Sequence, residues 1–137
     1  MKKEIFKIRK NKIEIYESKL EKLEDKNSFE ANNLRAEIKY EKFKNHRDYL
    51  ILNSGIKERS KLIDEICLRV NKDLRYQTYT EFALFIKDGK FKIDSFICKG
   101  ELEKKDYEFL GVWSFYRADG KVSPSKLRDD FFIEKEN

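Results

Sequence analysis

The sequence predicts an α+β fold: a long N-terminal helical hairpin, a packing helix, then a small antiparallel β-meander of three to four strands. Three observations carry this. Apolar residues recur at helical spacing as far as about residue 72, and after Arg75 the text turns β-branched and aromatic. The pair Asp88-Gly89 joins two such runs, and Asp-Gly is a strong short-range hairpin signal because both turn positions need positive φ. Helical and strand-like segments are segregated along the chain, which argues against alternating βαβ units.

Residues 3–25 read as the first helix. Phe6, Ile13, Tyr16, Leu20 and Leu23 keep the three-four spacing of a coiled-coil seam, with Arg9 as a polar interruption. The text DKNSFE then offers a turn, in which Asn27 and Glu30 have the spacing of a capping box. A second helix is expected over about 28–52, with Leu34, Ile38, Tyr40, Phe43 and Leu50 on a broader stripe. Gly55 suits the left-handed position after its end. A third helix over about 56–72 repeats Leu62, Ile63, Ile66, Cys67 and Val70 at amphipathic spacing.

Strands are expected at 79–87, 90–98 and 107–116, with a charged loop or hairpin end at 99–106. Along 107–116 both faces are partly apolar, so this strand is expected to be central and largely buried, with Trp113 in the core rather than on a ligand platform. Gly111 allows a bulge there. KVS, 121–123, offers a fourth strand, SKLRDD a short helical turn, and Phe131, Phe132 and Ile133 a segment able to dock on the sheet. GVWSFYRADGKV, 111–122, resembles one copy of a G-x-W-x-F/Y-Y…G-K hairpin repeated in some bacterial antitoxin-like β-repeat proteins. It covers a dozen residues, occurs once and carries no function over.

With 137 residues the chain suits one domain, divided as a helical arm over 1–53 and a helix-plus-sheet part over 54–137. Charged residues reach 42%, which alone would suit disorder, but 14% aromatic residues supply a core. Residues 1–12 are basic like a signal-peptide start, yet no apolar run follows, and no stretch is long enough to span a membrane. Cys67 and Cys98 stand singly in apolar contexts, like buried thiols of a reducing compartment, and their pairing is open. A cytoplasmic location is therefore expected.

The net charge of +5 lies wholly in the first part: residues 1–60 hold 16 Lys/Arg against 11 Asp/Glu, and residues 61–137 hold 15 of each. One basic cluster is Lys2, Lys3, Lys7, Arg9, Lys10 and Lys12; another is Lys39, Lys42, Lys44 and Arg47. These ten are the candidate contacts to a partner or to nucleic acid. Catalytic constellations are weak. His46 is the only histidine, so structural zinc lacks ligands, and a Cys–His dyad would need an activated thiol. Asp94 followed by Glu103, Lys104 and Lys105 has the letters of a metal-dependent nuclease but not its strand context. No glycine-rich loop precedes a helix, so no cofactor is expected.

The reading that follows is a small non-enzymatic interaction protein that binds and modulates or inhibits a larger protein or ribonucleoprotein complex. Heavy use of Lys, Ile, Phe, Tyr, Asn and Glu is the style of AT-rich phages and mobile elements, whose small accessory proteins block host machines, anti-CRISPR inhibitors among them. Nucleic-acid binding, to RNA or DNA, through the basic arm is the alternative, and a nuclease built on Asp94, Glu103 and Lys105 is the remote one. A homodimer through residues 6–23 is a further expectation.

Overall fold

A computed structural model describes residues 4–73, 79–116 and 124–133. The chain divides into two compact units, residues 1–49 and 50–137. The expected Lys2, Lys3 and 121–123 strand lie outside the described residues.

The first unit is the helical arm. Helix α1 runs Glu4–Lys22, and Lys26 folds back onto its end. Its ammonium donates to the carbonyls of Leu20 (2.7 Å) and Glu21 (2.5 Å), a cation at the negative end of the helix. In the turn, Asp25 Oδ1 accepts from the Asn27 N–H at 2.9 Å. Helix α2 (Phe29–Asn53) is capped by Ser28 rather than Asn27, the Ser28 Oγ accepting from the Ala31 N–H at 3.1 Å.

The two helices run antiparallel. Arg9 of α1 meets Asp48 of α2, and Glu17 meets Lys42, so numbers rise on one helix as they fall on the other. Ala31, Ile38, Glu41 and Asp48 keep heptad-type spacing along α2 and are all buried, the second half of the row being acidic. The polar interruption in the α1 seam has its explanation here: Arg9 Nη1 donates to Asp48 Oδ2 at 2.5 Å, with both side chains at most a tenth exposed.

The second unit begins in the last turn of α2. Gly55, at φ +93, turns the chain into α3 (Ile56–Asp73), whose residues Leu62, Ile63, Ile66 and Val70 are buried as the spacing predicts. Cys67 and Cys98 are half-buried, not fully buried, and are not disulfide-bonded.

Strands β1 (Tyr79–Lys87), β2 (Lys90–Asp94) and β3 (Glu108–Tyr116) form one antiparallel sheet in the order β2-β1-β3. Helices followed by a small antiparallel sheet is the expected α+β architecture. Asp88 (φ +53) and Gly89 (φ +75) close β1 onto β2 as a two-residue turn with both positions left-handed. The central strand is β1, not 107–116. Its run Phe82–Ile86 is buried without a break, whereas β3, among the described residues, pairs with β1 alone and leaves Val112 exposed.

The register passes from Leu84↔Gly111 to Phe85↔Phe109, so Leu110 is an extra residue, and Gly111 at φ +128 supplies the bulge. Side chains of β1 alternate between two cores. On one side Phe82 stacks on Trp113, which meets Phe131 at 5.3 Å. On the other, Ala83 and Phe85 pack with Leu102, and Phe109, Tyr107 and Cys98 close around them.

Strand β2 stops at Asp94, shorter than expected. Ser95 caps a 3₁₀ turn, Phe96–Cys98, that leads into helix α4 (Lys99–Lys104), so the expected charged loop is helical. Its charges stand off the face that buries Leu102. Helix α4 ends in a Schellman motif: Tyr107 N–H bonds to Leu102 O and Asp106 N–H to Glu103 O, with Asp106 at φ +69.

Helix α5 (Pro124–Asp130) ends in the same motif, Ile133 N–H to Arg128 O and Phe132 N–H to Asp129 O, with Phe132 at φ +54. Phe131, Phe132 and Ile133 are all buried, as expected of a docking segment. Arg59, itself buried, donates from Nη1 to the carbonyl of Phe132 and from Nε to Gly55 O at 3.1 Å. Among the described residues, no helix is long and apolar enough to cross a membrane.

Candidate functional site

Every candidate cation of the basic clusters that is described lies on α1 or α2. Among the described residues four have an internal carboxylate partner, Lys42 from an exposed position through Glu17 and three from buried or half-buried ones. Arg9 is buried against Asp48, and Arg47 Nε holds the other oxygen of that carboxylate at 2.9 Å. Lys44 Nζ sits 3.0 Å from Glu41 Oε1 and 4.5 Å from the centre of the Tyr40 ring. Of these contacts, Arg9–Asp48 joins the two helices, while those of Arg47 and Lys44 stay within α2. Lys7, Lys10, Lys12, Lys39 and Lys42 are exposed. At about 100° per residue, Lys12 stands about 140° around α1 from Lys7, so the N-terminal lysines form no single stripe.

The arrangement on α2 is different. Arg35, Lys39 and Lys42 recur at i, i+4 and i+7, which puts them on one face, spanning about 10 Å of helix. They rim a groove of about 460 Å³ completed by Ile38 and by Glu17 and Leu20 of α1. Ile38 and Leu20 give it an apolar floor. Glu17 is its one carboxylate, 3.4 Å from Lys42 Nζ with both groups at least half exposed. Arg35 Nη1 donates to Asn32 Oδ1 at 3.0 Å. Among the described residues, Arg35 and Lys39 have no carboxylate partner. Residue clusters alone did not single out Arg35 or Glu17. The signal for Arg35 is its helical phase with Lys39 and Lys42, and for Glu17 it is a tertiary contact.

The groups considered for catalysis are held in other states. Asp94 accepts from the Ser95 N–H at 2.7 Å, and this bond, with the Cys98 thiol and the charges of Lys92 and Arg69, holds its carboxyl below the usual range. The same contact pushes the Cys98 thiol up, and burial with the nearby Asp64 pushes Cys67 up, so neither thiol is activated as a thiolate. His46 is exposed on α2. Glu103 pairs with Lys99 at 2.6 Å and Lys105 with Glu101 at 3.7 Å, on and just after α4 rather than on a strand. Among the described residues, no group of three or more His, Cys, Asp or Glu is placed to hold a metal. A second pocket, about 470 Å³, lies beside the β1–β2 turn and includes Asp88, Asp106 and Glu108.

No protein-family model matches the chain, and neither a curated protein nor a solved structure is significantly similar to it.

Proposed function

We propose that this chain is a non-catalytic interaction protein that binds a larger macromolecular partner through its helical arm. The observation that carries the reading is the groove along α2, with an apolar floor of Leu20 and Ile38 and a rim in which Arg35 and Lys39 have no carboxylate partner among the described residues. An apolar floor gains by being covered, and unpaired cations gain by meeting an anion. Occupation of an acidic surface on a host machine, in the manner of anti-CRISPR-like inhibitors, is the concrete case suggested by the chain's size and residue usage.

The exposed Lys7, Lys10, Lys12 and Lys39 favour a second reading, contact with nucleic-acid phosphates. Co-purification from the native cell, with and without nuclease, tests both readings when wild type is compared with Arg35→Glu/Lys39→Glu. A protein partner that survives nuclease and is lost with the variant supports the first. Recovery of nucleic acid, with protein partners lost on digestion, replaces it with the second.

A further inference from the structure

We infer that the groove takes an acidic amphipathic helix from a protein partner. This rests on the interaction reading above and names the chemistry of its occupant. Three features of the groove select it. The rim cations Arg35, Lys39 and Lys42 step along α2 by four and then three residues, about 6 Å and then about 4.5 Å, the repeat with which a second helix presents carboxylates at i, i+4 and i+7. The floor, Leu20 with the nearly buried Ile38, calls for an apolar ridge on the same face of the occupant, as in other helix-in-groove complexes. The charge complementarity is lopsided, three cations against Glu17, so the occupant is anionic.

A phosphodiester backbone meets the second requirement poorly. It brings charge but no apolar group to the floor. The groove is short, with room for one or two apolar anchors, so the contact belongs to the weak, salt-sensitive class of recognition. A larger partner would add further surface.

The test uses the full chain and three probes: an amphipathic peptide with Glu at i, i+4 and i+7 and Leu beside that row at i+3 and i+10, a scrambled peptide of equal composition, and an oligonucleotide of equal net charge. Binding is read by amide chemical-shift changes and fluorescence anisotropy. The amphipathic peptide is expected to shift Leu20, Arg35, Ile38, Lys39 and Lys42 and to bind at least about tenfold tighter than the scrambled one, a difference of about 1.4 kcal/mol.

Lys39→Glu is expected to weaken binding about tenfold with the helical circular dichroism unchanged, and Lys39→Arg to retain it. Equal binding of the two peptides, shifts mapping elsewhere, or displacement of the peptide by the oligonucleotide overturns the inference. If a nuclease-resistant protein is captured through the arm while the peptide misses the groove, the inference falls and the interaction reading stands. If neither occurs, both fall.

Discussion

Arg9→Met is the most informative single perturbation of the arm. The guanidinium it removes lies 2.5 Å from a carboxylate whose side chain is only 4% exposed. Breaking a buried ion pair by removing one partner costs about 3–5 kcal/mol, because the surviving charge stays buried. Here Asp48 keeps Arg47, which donates at 2.9 Å and 3.3 Å from a side chain that is 21% exposed. The expected loss is therefore about 2 kcal/mol, below the full range.

Amide hydrogen exchange along α1 reads this directly, since the helix opens locally. A loss of about 2 kcal/mol speeds its protected amides about 30-fold. Arg9→Met/Asp48→Leu removes both charges and is expected to recover to within about 1 kcal/mol of wild type. A single-variant effect below about 0.5 kcal/mol would place the pair with exposed ion pairs and refute the reasoning. A double variant as poor as the single one would assign the loss to the arginine stem rather than to charge.

The turns offer a paired test by urea unfolding. Asp106→Gly is expected to stabilise by about 0.5–1 kcal/mol, since Asp106 is exposed at φ +69, while Gly89→Ala at φ +75 is expected to cost about 1 kcal/mol although no atom crowds it. Phe85→Ala, at the wholly buried centre of β1, is expected to cost about 3–5 kcal/mol in the same assay. Stability should fall at both ends of the pH range. Asp94, held low, contributes above the ordinary carboxylate range and loses this as pH falls through its folded value; Cys67 and Cys98, held high, contribute below the ordinary thiol range and lose this as pH rises through theirs. Asp94→Ala should remove its part of the acid limb and make Cys98 react faster with a disulfide reagent at pH 8, and an unchanged rate would contradict the thiol–carboxylate contact.

Local chemistry was legible in the sequence where one residue dictates it. Asp88-Gly89, Gly55 and Gly111 stand where positive φ is needed, and the α3 stripe is buried as its spacing requires. The aromatic richness of 107–116 points to the wrong central strand, and the plainer sign is Phe82–Ile86, an unbroken apolar run with the pattern of a strand covered on both faces.

Helix α4 was hidden by its charges, which on a six-residue helix leave a single buried position, Leu102, too little to show a period. At the candidate site, the row Arg35, Lys39, Lys42 is present in the text, and the seam spacing sets Arg9 on the packed face of α1. Its partner is Asp48, 39 residues away, and no local pattern encodes that pairing.

The position of β1 between β2 and β3 also bears on how the sheet assembles. Its pairing with β2 closes over two residues, an event on the order of microseconds, whereas β3 must return after the 3₁₀ turn and α4, at a larger loop-closure cost. The hairpin is thus the pairing with the lower closure cost. Where it closes first, contacts made by β3, such as the burial of Leu110, form later and act more on unfolding than on the speed of folding, which substitution of Leu110 followed by folding and unfolding kinetics would read.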